Sequence, residues 1–248
     1  MIKNKPFKFS YLRLNGVKML IAISQRNEKN EFGNYKDSLE NNYINYYESF
    51  GIKLIPIPNS SKDIKKYFEE LPIKGIILTG GGDVNPRLYN QEPTYTTNYS
   101  ELRDNTEKTL LEIALEKNLP VFCNCRGTQF MNVFFGGNLI QSIKNRFNVN
   151  HVATKHPIKI VDENISKFFG GKRFIVNSFH DQGFTKENLS KELKDFAVSE
   201  KDNIIEGIYH PRYPIAGILW HPERPSSDKE FDKKIVKTFV ERKLFWQK

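Results

Sequence analysis

The stretch "LPVFCNCRGTQFMNVFFGG", Leu119 to Gly137, holds both cysteines of the chain, two residues apart. Cys-x-Cys with no other Cys or His close by is a poor zinc site, because zinc takes about four ligands. Nor is it the Cys-x-x-Cys of a thiol oxidoreductase. Cys125 has the more telling setting. The apolar run "PVFCN" leads in, Gly127 follows two residues later, and a helical pattern begins at once. Strand, tight turn and helix in that order can lift a nucleophile above a sheet. A sulfur at a helix N-terminus also feels positive charge that favours thiolate. Cys123 lies back on the strand and reads as core. On these residues alone, a nucleophilic Cys125 and a buried structural Cys125 both stand.

A cysteine nucleophile needs a base and a group to orient that base. The chain has five histidines, His151, His156, His180, His210 and His221. In "AGILWHPERP", His221 follows an apolar strand and Glu223 lies two residues on. Alternation puts both side chains on one face, where the carboxylate can hold one ring nitrogen while the other meets sulfur. A strand-end histidine with a purely structural role is the competing reading.

These residues need elements to position them. "VKMLIAIS", "IKLIPIP", "KGIILTGGG" and "PVFCN" read as apolar strands. Helical patterns separate them in "DSLENNYINYYESFG", "SKDIKKYFEEL" and "RDNTEKTLLEIALEKN". The last of these places Leu110, Leu111, Ala114 and Leu115 on one face. Such alternation predicts an α/β fold with a mostly parallel sheet covered by helices on both faces. Toward the C-terminus, "HPIKIV", "RFIVNS", "FAVSE", "IIEGIYH" and "PIAGILW" read as short strands of a mixed, partly antiparallel extension. A final helix lies in "SSDKEFDKKIVKTFVERK". No repeat or linker interrupts the pattern, so a single domain over residues 1–248 is expected. Ligands of open α/β sheets bind beyond the carboxyl ends of the strands. "ILTGGGD" and "VFCNCRG" end two such strands in glycine-containing turns.

Composition narrows the function. The chain is 38% hydrophobic and 13% aromatic, which is globular composition. No run approaches the roughly 20 apolar residues of a membrane span. The apolar run Val17 to Ile23 is short, contains Lys18 and reads as a strand, so no membrane partner and a cytoplasmic location are expected. Lys and Arg number 38 against 29 Asp and Glu, a net +9. The lysines are dispersed among acids, as on solvated helix faces, with no basic block or nucleic-acid motif. That leaves a bland surface or an anionic small substrate, and no nucleic acid.

Taken in order, "ISQR", "ILTGGGDVNPRLYNQEP", "RDNTE", "PVFCNCRGTQFMNVFFGGNLIQSI", "NSFHDQG", "IIEGI" and "GILWHPE" resemble class I glutamine amidotransferases. More closely they resemble the γ-glutamyl hydrolase branch, peptidase family C26. The resemblance runs nearly end to end. It implies a flavodoxin-like fold and a triad of Cys125, His221 and Glu223, with no metal or cofactor. It further implies an oxyanion hole from the backbone N–H groups of Gly81 or Gly82 and of Arg126. Gln129, Asn177, Ser178, His180 and Gln182 would border the glutamyl α-amino and carboxylate groups, and Arg103, with Asp104 and Glu107, would lie beside them.

The chain departs from the pattern at three places. Cys123 stands where the branch usually has glycine, Asp181 where it often has a second histidine, and Leu219 precedes "WHPE". The last two shape the region beyond the glutamyl group, where the leaving amine would sit. The implied reaction is hydrolysis of a γ-glutamyl amide. The leading expectation for the leaving group is nucleotide-linked, as in the γ-glutamyl-CDP-amidate hydrolases of capsule phosphoramidate biosynthesis. The alternatives are γ-glutamyl-γ-aminobutyrate or a polyamine-derived amide, and a glutaminase subunit serving a partner synthetase. Arg87, Lys144 and Arg146 are candidates to meet phosphate.

Overall fold

The computed structural model describes residues 19–96 and 98–241. Its strands are β1 (Met19–Ile23), β2 (Arg26–Lys29), β3 (Tyr35–Ser38), β4 (Ile52–Pro56), β5 (Ile73–Leu78), β6 (Val121–Asn124), β7 (Val152–Ile160), β8 (Arg173–Phe179), β9 (Lys194–Ser199), β10 (Ile205–Tyr209) and β11 (Ile215–Ile218). Its helices are α1 (Asn41–Glu48), α2 (Lys65–Glu70), α3 (Glu101–Lys117), α4 (Arg126–Phe134), α5 (Ile143–Phe147), α6 (Glu163–Phe169) and α7 (Lys229–Val240).

Nine strands form one sheet in the order β4–β1–β5–β6–β11–β10–β9–β7–β8. The first five are parallel, and from β11 onward each neighbour is antiparallel. This is the expected α/β architecture with its antiparallel extension. Residues of the central strands alternate between two cores. Ile76, Leu78, Val121 and Cys123 face Leu110, Leu111, Phe130 and Met131 of α3 and α4. Ile77, Phe122 and Ile218 face Tyr43 and Tyr47 of α1 and Ile235 and Phe239 of α7. Burial on both faces explains why these strands read as unbroken apolar runs.

The topology makes β5, β6 and β11 consecutive neighbours with their carboxyl ends aligned. Leu78 is level with Cys123, and Ile218 is level with Asn124. The three segments that follow, Thr79–Asp83, Cys125 and Leu219–Glu223, therefore meet at one edge.

Three elements differ from the sequence reading. Asp37 and Ser38, expected to open the first helix, belong instead to a hairpin of β2 and β3. The Asn30 side chain accepts the N–H groups of Phe32 and Asn34 at its turn, and Asn27 donates to Asp37 across it. The strands "RNEK" and "YKDS" carry no apolar alternation, so local polar bonds shape this hairpin. Helix α5 was also not expected. Nor was α6, which is capped by Asp162 and closed by Gly170 in the left-handed region. The expected strand residues Val17 and Lys18, and the helix end beyond residue 241, lie outside the described residues.

Candidate active site

Cys125 is the one residue between β6 and α4, with φ 48° and ψ −108°. Such a conformation costs a non-glycine residue on the order of 1–3 kcal/mol and persists only where neighbours impose it. They do so here. The Cys125 N–H donates to Ile218 O at 2.7 Å, and its carbonyl accepts from Thr128 and Gln129 at 2.9 and 3.1 Å. Gly127 lets α4 press onto β5, since a Cβ there would lie 2.6 Å from Leu78 O. The turn thus aims Cys125 out of the sheet at the start of α4. Cys123 is accommodated in place of the usual glycine because Gly217 stands opposite it, where a Cβ would come within 3.0 Å of the Cys123 Cβ.

His221 leaves β11 on the neighbouring edge. Its Nδ1 lies 2.6 Å from Glu223 Oε1, so this nitrogen carries the proton toward the carboxylate. Nε2 is buried and meets no nitrogen or oxygen partner. The neighbour acting on it is the Cys125 sulfur. Burial lowers the His221 pKa, but the charges of Cys125 and Glu223 outweigh it and lift the value to about 9. For Cys125, burial raises the pKa, while the charge and hydrogen bond of His221, helped by His180, bring it below the usual thiol value. Cys123 has no such neighbour, and burial pushes its thiol well up. The two cysteines are thus shifted in opposite directions, Cys125 toward thiolate and Cys123 away from it.

A cavity of about 210 Å³ opens above Cys125. Gly81, Gly82, Gln129, His180, Gln182 and His221 line it together with Cys125, and so do Arg26, Asp83, Asn98, Phe179, Asp181 and Arg224. Gly81 and Gly82 turn with φ 86° and 69°, and no backbone hydrogen bond among the described residues uses their N–H groups. The Arg126 N–H is in the first turn of α4, where a helix leaves its donors unused. These groups can serve an oxyanion.

Of the remaining expected residues, Arg103, Asn177 and Ser178 stand behind the cavity wall. Arg103, 3% exposed, donates to the carbonyls of Thr79, Gly80 and Gly81 and to Glu107, so it braces the glycine turn from below. The Arg126 guanidinium is likewise buried, on Asp104, Glu107 and the Asp83 carbonyl. Asn177 clamps the main chain of His221: Oδ1 accepts the N–H and Nδ2 donates to the carbonyl, both at 2.8 Å, and Nδ2 also donates to Pro225 O at 3.2 Å. Ser178 points the other way, 3.4 Å from His151 Nδ1. Gln129 Nε2 donates to Gln182 O at 2.8 Å, while the Gln182 side chain accepts the Val84 N–H at 3.3 Å and donates to the Thr96 hydroxyl at 2.7 Å. Arg87, Lys144 and Arg146 do not line this cavity; Arg146 borders a separate pocket with Tyr95 and Asn145.

Several residues escaped the sequence reading. Tyr43 accepts the Gly80 N–H at 2.9 Å, and Tyr47 donates to Asn124 at 3.0 Å, so α1 buttresses both turns. Their i, i+4 spacing on one helix face was the available signal. Glu40 receives both Arg26 and Arg224, and Arg224 lies over the Phe179 ring at 4.5 Å, forming the rim. One group, His151, His180 and Glu206, brings three metal-type ligand atoms within 4.8 Å of one another. Asp202 and His156 already occupy His151 Nε2 and Glu206 Oε1, at 2.7 and 3.0 Å.

The γ-glutamyl-CDP-amidate hydrolase of Campylobacter jejuni is 32% identical over 83% of this chain and 90% of its own length. The γ-glutamyl-γ-aminobutyrate hydrolase of Escherichia coli O157:H7 is 26% identical over 84% of this chain and 87% of its own. Among solved structures, the glutaminase domain of Trypanosoma brucei CTPS shares the fold, with TM-score 0.63 at 13% identity, covering 90% of this chain and 94% of that one. The peptidase C26 family pattern matches residues 18–223, and the chain belongs to the peptidase C26 family.

Proposed function

We propose that this chain is a hydrolase that cleaves a γ-glutamyl amide through a thioester on Cys125. The observation that carries the reading is a strained, acidified cysteine sharing one cavity with an imidazole held by a carboxylate. The Cys125 thiolate adds to the γ-carbonyl carbon, and the oxyanion is met by the N–H groups of Gly81 or Gly82 and Arg126. Preorganised donors of this kind are each worth about 100- to 1000-fold in rate. The C–N bond then breaks as His221 gives its proton to the departing nitrogen. Neutral His221 takes a proton from the water that attacks the thioester, and the C–S bond breaks to release glutamate and return Cys125 as thiolate beside protonated His221. Glu223 keeps His221 in the tautomer that presents Nε2 to sulfur. Gln129, His180 and Gln182 border the glutamyl end.

For the leaving group we favour an anionic, nucleotide-linked amine. The reading is supported by the net +9 of the chain, by the guanidinium groups of Arg26 and Arg224 on the rim, and by the similarity to the Campylobacter jejuni hydrolase. Such a substrate belongs to capsule chemistry in the cytoplasm. The similarity to the Escherichia coli hydrolase supports γ-glutamyl-γ-aminobutyrate as the second reading.

Glutamate release from glutamine, γ-glutamyl-γ-aminobutyrate, γ-glutamyl-putrescine and γ-glutamyl-CDP-amidate decides between them. The first reading expects the nucleotide conjugate to have the highest kcat/KM, and preference for either amine conjugate replaces it with the second. Hydrolysis of glutamine alone, and only with an added synthetase, would identify a glutaminase subunit instead.

A further inference from the structure

Behind the cavity wall, β7, β8 and β10 bring three histidines around one carboxylate. Glu206 is fully buried on β10, far from any solvent that would stabilise its charge. Its Oε1 lies 3.0 Å from His156 Nε2, 3.5 Å from His151 Nδ1 and 3.6 Å from His180 Nε2. The three rings differ in what they face. His156 offers Nε2 to Glu206, and its Nδ1 has no partner. His151 has Asp202 on Nε2 and, at Nδ1, both the Ser178 hydroxyl at 3.4 Å and Glu206 at 3.5 Å. His180 has Gln182 O at 2.9 Å from Nδ1, while its Nε2 makes no hydrogen bond and faces the Glu206 carboxylate at 3.6 Å. An imidazolium answers both contacts, donating Nδ1–H to the carbonyl and setting its positive charge against the Glu206 carboxylate at ion-pair distance. Unlike the other two, His180 also lines the cavity above Cys125.

We propose that Glu206 is a positioning residue for the reaction: it holds His180 as an imidazolium, and through that charge it sets the reactivity of the Cys125 thiol. The cysteine then stands between two His–carboxylate pairs with different tasks. His221–Glu223 moves protons. His180–Glu206 keeps its proton and supplies a fixed positive charge beside the thiol. The direction of His180 agrees: burial lowers its pKa, but Glu206, and after it Cys125, raise it above the ordinary histidine value.

Of the other charged groups, Asp83 also lines the cavity, and its carboxylate accepts the Asn98 N–H. Asp202 belongs to His151. The Asp181 carboxylate is turned to the Ser142 hydroxyl and the Lys144 N–H. Arg26 and Arg224 sit on Glu40 at the rim. Across the cavity, Glu223 belongs to His221.

The inference rests on Cys125 being the nucleophile, and its test reads the thiol directly, without a substrate. Iodoacetamide alkylation is followed against pH for the full chain, for Glu206→Gln, for His180→Gln and for the double variant; Cys125→Ser subtracts any reaction of Cys123. The expected midpoint for Cys125 rises by about 1 pH unit or more in each single variant, the size of effect a nearby opposite charge exerts. The double variant shifts no further than the singles, because Glu206 acts only through His180. A wild-type profile in Glu206→Gln overturns the proposal, as does a second, additive shift in the double variant. If Glu206→Gln fails to melt cooperatively, His180→Gln decides alone, and an unmoved profile there overturns it. Loss of γ-glutamyl turnover on every substrate would refute the substrate reading and leave this titration standing.

Discussion

Gly80 is the point at which the three turns come closest, and adding one methyl group there tests the geometry directly. A Cβ on Gly80 would lie 2.8 Å from Cε1 of His221, 3.3 Å from the Cys125 Cβ and 3.3 Å from the Tyr43 hydroxyl. Its φ is not in the left-handed region, so alanine meets no backbone penalty, and the whole effect is steric. Carbon atoms rest about 3.5–4.0 Å apart, so the imidazole must retreat by ~0.7 Å or more. It cannot retreat freely. Glu223 holds its Nδ1 at 2.6 Å, and Asn177 clamps its main chain at both the N–H and the carbonyl. A misplacement near 1 Å can cost about 100-fold in rate, and overpacking about 1–3 kcal/mol in stability. Gly80→Ala should therefore lose roughly 100-fold in kcat for glutamate release. Its Tm should fall by only several degrees, measured by calorimetry. Gly171→Ala, whose added Cβ would meet only the edge of the Phe174 ring at 3.3 Å, is the control and should keep full activity. If Gly80→Ala stays within about threefold of the parent protein, the imidazole is not held against Cys125 and the reasoning fails.

Other perturbations separate proton transfer, positioning and stability. The kcat/KM profile should hold up to about pH 9 and fall above it, as His221 loses the proton it gives to the leaving nitrogen. Glu223→Gln removes one of the two anions that raise His221, so the fall should move to lower pH; an unmoved alkaline limb would assign it to another group. Asn177→Ala should lower kcat about tenfold with KM little changed, because its amide is spent on His221; a raised KM at constant kcat would make Asn177 a substrate contact. Arg103→Met should destabilise the fold by about 3 kcal/mol in urea unfolding, since three buried carbonyls and Glu107 lose their shared cation. Unchanged stability would show that the glycine turn does not depend on this brace.

What the sequence made legible follows from burial. β5, β6 and β11 are covered on both faces, so each appears as an apolar run, and α3 presents one apolar side to the sheet. The elbow at Cys125 was visible because Gly127 marks the place where helix and strand touch. The β2–β3 hairpin was invisible to any hydrophobic pattern, being built from polar side chains that bond to one another, Asn27 to Asp37 and Ser38 to Glu28. Roles behind the cavity wall were harder still. Asn177 stands in a motif grouped with substrate contacts, yet alternation along β8 sends it to the His221 main chain and sends Ser178 to His151. Glu206 sits inside "IIEGI", a stretch that reads as a short strand and gives its acid no role. Its partners come from β7 and from the segments flanking β7 and β8, and only the antiparallel order of the sheet brings them to it.

The most direct test compares glutamate release by the parent protein, Cys125→Ala and Cys123→Ala on the best γ-glutamyl substrate, with melting curves to establish that each is folded. Loss of all turnover in Cys125→Ala, with most of it retained in Cys123→Ala, is the predicted result. Turnover surviving in Cys125→Ala, or lost equally in both folded variants, would contradict a thioester on Cys125.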